Sequence, residues 1–275
     1  MNYQIILFFK TNVMYNDIII KKIVNMGEYM VGRLELILDN KEIDYKNSSN
    51  LQGVIMENID NEYADILHTQ GYNPYSQYVY TKDNKVIWCI NTLDEKAYDK
   101  IIQRLLDDKF NEFTIKNRET PIKVIEKRLQ KKSKNLFLEE FYNVKGDKYY
   151  NIQFITPTSF KSNGRYMIFP DLRLMYKSLM KKYSAASTDM DMYDEDTLEQ
   201  LIESSEITRY RLQSTVFPLE GVVIPSYKGS LSIRLHGNDT ISRYARLLFS
   251  FGEYSGIGIK SSIGMGALKL LKDLK

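Results

Sequence analysis

Leu34, Leu36 and Leu38 recur at every second position, the period of a β-strand with one buried face. The period then changes. Leu51, Ile55, Ile59, Tyr63 and Leu67 fall four residues apart, a helical stripe over residues 49–67 that is broken near Asp60. Tyr75–Tyr80 and Lys85–Ile90 read as a strand pair turned at Lys82, Asp83 and Asn84. Glu95–Leu106 is a second predicted helix, and residues 113–129 supply one or two more strands. The order β-α-β-β-α-β is the ferredoxin-like plan.

The pattern starts again further on. Leu136–Val144 and Tyr149–Ile155 are predicted strands, Asp171–Tyr183 a helix and Asp194–Ser204 an acidic helix. Tyr210–Phe217, Gly221–Ile224 and Ser230–His236 are predicted strands, and Ala267–Leu271 is apolar enough to close the sheet. Between them Ile241–Tyr254 is amphipathic, with Ile241, Tyr244, Ala245, Leu248 and Phe251 on one face. Asn238, Asp239 and Thr240 are its N-cap candidates. Arg243, Arg246, Ser250 and Glu253 fall on the other face, so both arginines are expected to point away from the core.

The expected fold class is α+β, two tandem ferredoxin-like (RRM-like) domains spanning 30–130 and 135–275. Lys127–Lys134 is the best linker between them. Residues 1–29 carry no convincing period and read as a leader, with translation expected to begin at Met26 or Met30. A peptide from Asn2 to Lys10 in the mass spectrum of the native protein would overturn that expectation.

Composition narrows the classes. At 275 residues, 43% hydrophobic and 27% charged, the chain has ordinary globular content. Its 38 Lys and Arg against 35 Asp and Glu leave +3, which neither demands nor excludes a nucleic-acid partner. One cysteine permits no internal disulfide, and Cys89 in the apolar run Val86–Ile90 is expected to be a buried thiol in a reducing cytoplasm. With one Cys and two His, a structural zinc site is excluded, and neither metal nor cofactor is expected. No apolar run approaches the roughly 20 residues of a membrane span, and Ile5–Phe9 is too short for a secretory signal, so no membrane partner is expected.

Gly256–Gly266 (GIGIKSSIGMG) concentrates the chemistry. Gly256, Gly258, Gly264 and Gly266 form two Gly-x-Gly pairs around Lys260, Ser261 and Ser262. Such a loop, with backbone N–H groups, a cation and hydroxyls, suits a phosphate backbone, although plain connections are also glycine-rich. The unit runs helix, loop, strand. A P-loop and a dinucleotide fingerprint both run strand, loop, helix, so a nucleotide cofactor is not expected.

Three ordered segments resemble the CRISPR-associated endoribonucleases that cut precursor CRISPR RNA within its repeats, in the repeat-associated RNA-binding superfamily. SGIGIKSSIGMGAL is similar to that family's C-terminal glycine-rich signature, and FITPTSFKSNGRYMIFPD (Phe154–Asp171) to its central segment. LQGVIMENI followed by ADILHTQGYNPYS resembles its N-terminal helix and histidine-bearing turn. The resemblance covers almost all of 31–275. It implies two ferredoxin-like domains, a metal-independent ribonuclease, CRISPR repeat RNA as partner, other CRISPR effector subunits as further partners, and His68 as the catalytic histidine.

Cutting RNA without metal means taking a proton from a 2′-hydroxyl, stabilising a phosphorane and protonating the leaving 5′-oxygen, which gives 5′-hydroxyl and 2′,3′-cyclic phosphate ends. Imidazole suits the proton transfers. His236, the other histidine, follows Ser232 and Arg234 on a polar strand face and is expected to face solvent or RNA. Some family members add a tyrosine on the preceding helix and a lysine after the histidine; Met56 and Asn73 stand there in this chain. Tyr72, Tyr75, Lys82 and Lys260 are the candidates for catalytic support. Backbone N–H groups of the glycine loop, with Lys260, Arg243, Arg246, Lys161 and Arg165, are expected to meet phosphates; Lys127–Lys134 could also contact RNA. The alternatives are a non-catalytic RNA-binding subunit of a CRISPR ribonucleoprotein and a ligand-binding regulatory protein.

Overall fold

Strand β1 (Met30–Leu38) carries the predicted alternation into the first of two sheets. The computed structural model describes residues 30–69, 71–116, 118–187 and 192–271, so the leader reading for 1–29 lies outside the described residues. β1 is hydrogen-bonded antiparallel to β3 (Lys85–Thr92) on one side and β5 (Ile122–Ser133) on the other. β2 (Tyr75–Lys82) and the short β4 (Glu112–Phe113) form the outer strands, giving the order β2-β3-β1-β5-β4. Leu34, Leu36 and Leu38 point from β1 into a core closed by α1 (Ser48–Asn58), α2 (Asn61–Thr69) and α3, which runs through Glu95–Ala97, a π turn at Tyr98–Ile102, and Gln103–Leu106. Trp88 sits fully buried in that core.

The second half repeats the plan. β6 (Tyr149–Thr158), β9 (Ser205–Leu219), β10 (Val222–Leu235) and β11 (Leu268–Leu271) pair in the order β11-β6-β10-β9. β7 (Phe160–Ser162) and β8 (Arg165–Met167) make a small separate hairpin. With the outer β4 set aside, both sheets have the ferredoxin-like strand order, and the protein is α+β.

Three expected elements are corrected, one of them at helix α4 (Lys134–Asn143). Lys127–Ser133 belongs to β5 rather than to a linker, because β1 satisfies its backbone residue by residue, from Lys127 opposite Leu36 to Ser133 opposite Met30. Lys127 and Lys131 share the face of Leu129, with their ammonium groups over the Phe110 and Tyr98 rings. The predicted strand Leu136–Val144 is largely α4: Phe137 and Phe141, one helical turn apart, pack on α7 (Asp239–Ser255). A short apolar run does not itself distinguish strand from helix. The two predicted strands Gly221–Ile224 and Ser230–His236 are one, β10, with its register shifted against β6 between Tyr227 and Gly229.

α4 also explains the arginines. Asn238 caps α7 as expected, accepting from the Ile241 N–H. The face that bears Arg243 and Arg246 is nonetheless not a free surface. Arg243 pairs with Asp239 and donates to the carbonyls of Phe141 and Tyr142 at the end of α4. Arg246 is buried, with Nε donating to Asp147 Oδ2 at 3.2 Å.

The halves meet along the face of the first sheet that its helices leave open. Tyr78 and Cys89 pack on Ala267, with Tyr80 and Ile155 alongside. Cys89 is therefore buried as expected, but at this junction, and burial pushes its thiol up to about 11. Arg33 crosses the junction, donating to the Glu253 carbonyl and lying 4.4 Å from the Tyr254 ring centre.

Candidate functional site

α2 buries Tyr63 and Leu67, four residues apart, against the first core. His68 follows Leu67 by about 100° around the helix axis and is turned outward and exposed. Beyond the helix, Gly71, Tyr72 and Asn73 lead the chain back to β2. His68, Tyr72 and Asn73 form one wall of a cleft of about 750 Å³ between the halves.

The second half supplies the opposite walls. Lys161, Ser162 and Asn163 come from the β7–β8 hairpin, Lys177, Ser178, Lys181 and Lys182 from α5 (Leu172–Ala186), and Gly258–Ile263 from the glycine loop. Five lysines (161, 177, 181, 182 and 260) line this cleft, with no Asp or Glu among its described residues. Concave surfaces of one charge sign focus their field on a ligand of the other sign. This cleft is built for a polyanion.

The glycines serve the loop's own fold. Gly266 has φ +71, and a Cβ there would lie 1.9 Å from the Ile257 carbonyl oxygen. Gly258 has φ +74, with Ser159 O at 2.3 Å from the same imagined atom. The four glycine N–H groups are engaged within the protein: Gly256 donates to Gly252 O, Gly258 to Ser178 Oγ, Gly264 to Ser261 O and Gly266 to Pro157 O. What the loop offers the cleft is Lys260, exposed and held at φ 58 beside Ser261.

The other expected residues divide. Tyr72 and Lys161 line the cleft and are exposed. Tyr75 lies buried outside the lining; its hydroxyl accepts from Gln52 Nε2 at 3.2 Å, and burial pushes it up to about 12. Lys82 lies at the end of β2 in a different groove, with Tyr45, Arg211, Lys228 and Lys269. Arg165 stands on β8 outside the lining, and Arg243 and Arg246 are held against α4 and the segment after it. His236, exposed, contacts Glu206 at 2.8 Å. Among the described residues, no group of three His, Cys, Asp or Glu could hold a metal ion, and no helix is long and apolar enough to cross a membrane.

Sequence reading missed the lysines of α5. The signal was present in MYKSLMKKY: Lys177 and Lys181 fall four apart on one helix face, with Lys182 next to them. Lys182 is buried, and burial lowers its ammonium to about 7.

Paired ferredoxin-like halves around a histidine-bearing, lysine-lined cleft define a polyanion-binding protein. Residues 152–268 match the family model of the CRISPR-associated endoribonuclease Cas6. A Cas6 of Streptococcus thermophilus is 36% identical over 240 residues, which are 86% of this chain and 97% of that protein. A Mycobacterium tuberculosis Cas6 is 34% identical over 221 residues, 80% of this chain and 70% of the relative. Among solved structures, a Cas6 product complex superposes with a TM-score of 0.73 at 18% identity, covering 88% of this chain and all of that one. A Thermus thermophilus Cas6 gives 0.66 at 20% identity, covering 90% and 100%. The chain belongs to the Cas6 family of CRISPR-associated endoribonucleases.

Proposed function

We propose that this protein cuts precursor CRISPR RNA within its repeats, without metal, using His68 to move the protons. The observation that carries the reading is the placing of His68 opposite five lysines in a cleft with no carboxylate among its described residues. The 2′-hydroxyl gives up its proton, the 2′-oxygen bonds to phosphorus, and the bond to the 5′-oxygen breaks as that oxygen takes a proton. The imidazole serves in these transfers. Lys260, Lys161, Lys177 and Lys181 meet the phosphates and the charge that builds on the phosphorane. Metal-assisted routes usually hold the ion on carboxylates, and the described residues of this lining include none.

The test is incubation with the repeat RNA of the source genome in excess EDTA. Cutting should persist, leaving 5′-hydroxyl and 2′,3′-cyclic phosphate ends. Cutting that stops in EDTA and returns with added magnesium would overturn the mechanism. Tight binding with no cutting under any condition would favour the non-catalytic subunit, a reading supported by Met56 and Asn73 where some relatives have Tyr and Lys. Alanine at Lys177 or Lys181 should weaken repeat binding and lower the slope of log affinity against log salt by about one each, read by filter binding from low to high salt.

A further inference from the structure

Lys182 is a buried lysine that this mechanism leaves unused. It lies on α5 with 6% of its surface exposed. Its Nζ donates to three neutral oxygens: Ser255 O at 3.2 Å, Gly256 O at 3.1 Å and Ser261 Oγ at 2.9 Å. Among the described residues no carboxylate pairs with it. Burying an ammonium without a counter-ion is costly, so the position demands a reason. Its first two acceptors are the carbonyls where α7 ends, groups that have no partner within the helix and carry the negative end of its dipole. The third is the hydroxyl of the residue after Lys260.

The next residue is held from the other half. Asn73 Nδ2 donates to Ser262 Oγ at 3.1 Å, and Gln77 Nε2 to Ser262 O at 3.2 Å. Consecutive serines are thus gripped from opposite sides, Ser261 by the α5 lysine and Ser262 by the chain that follows His68. Lys260, the preceding residue, has φ 58, a left-handed conformation that a lysine keeps only where its surroundings enforce it. A continuous line therefore runs from Lys182 through Ser261 and Ser262 to Asn73.

We infer that Lys182 is a positioning residue, a latch that holds the glycine loop so that Lys260 faces His68 across the scissile phosphate. The inference rests on the proposed ribonuclease activity, and it separates turnover from binding. Lys161, Lys177 and Lys181 still attract RNA when the latch is lost, whereas the stabilisation of the phosphorane depends on where Lys260 sits.

The experiment uses the full chain with Lys182→Met, nearly the same shape without the charge. At saturating repeat RNA the single-turnover rate should fall by at least about tenfold, since misplacement by an ångström costs up to about a hundredfold. The dissociation constant should stay within about threefold of the parent value. Amide exchange at Gly258 and Ile259 should quicken while that of β1 and β3 is unchanged. A parent-like cleavage rate, or a loss of affinity as large as the loss of rate, overturns the inference. Should Lys182→Met fail to fold, Ser261→Ala removes a single acceptor and must itself slow turnover without weakening binding, or the latch is rejected. If the parent protein does not cut at all, the proposed function falls by itself. The exchange measurement then decides the latch alone: faster loop exchange supports it, unchanged exchange overturns it.

Discussion

His68→Ala will slow repeat cleavage by about 10²- to 10⁴-fold, the usual worth of one general acid–base group, and will leave repeat affinity within about threefold. The asymmetry follows from placement. His68 is one exposed side chain on the wall opposite the lysines, so its removal deletes a proton carrier and little positive charge. Folding should be unaffected, because the core of α2 depends on Tyr63 and Leu67 rather than on the imidazole. Single-turnover cleavage and filter binding on the same preparation check both halves of the expectation. Parent-like cutting by the variant would remove His68 from the mechanism, and a collapse of binding would show that the imidazole mainly grips RNA.

The second large effect is on folding. Gly266→Ala is expected to cost about 2–5 kcal/mol, summing about 1–2 for the left-handed backbone and about 1–3 for overpacking. The added methyl would meet the Ile257 carbonyl oxygen at 1.9 Å, and that oxygen belongs to the backbone, which cannot swing aside as a side chain can. Relief would have to break the Gly266 N–H bond to Pro157 O or the Ile257 N–H bond to Gly266 O, which tie the loop to itself and to the end of β6. Gly53→Ala is the control. Gly53 lies in α1, where a Cβ would meet nothing within 4 Å, so alanine should stabilise by about 0.5–1 kcal/mol. Urea unfolding of the two variants beside the parent reads both values, and a Gly266→Ala midpoint equal to that of the parent would contradict the close approach.

These two predictions draw on different sources. His68 could be singled out from the chain alone, since two histidines leave a narrow choice and the segment around His68 resembles a known motif. The glycines could be singled out as well, but not the backbone contacts they make. Their N–H groups face inward and their missing side chains allow backbone to approach backbone, a fact that depends on residues about a hundred positions earlier, such as Pro157 and Ser159.

Local order was written in the chain. The alternation through β1, the turn at Asp83 and Asn84, the α1–α2 break near Asp60 and the Asn238 cap all arise from interactions among near neighbours, and near neighbours are what a sequence displays. Tertiary structure decided what depends on distant partners. Lys127–Ser133 becomes strand because β1 lies alongside it, Arg246 is buried near Asp147 on a helix face that α4 helps to cover, and the α5 lysines face His68 because two sheets dock. Side-chain burial and charge focusing are properties of surfaces brought together, and the order of residues along a chain does not state which surfaces will meet.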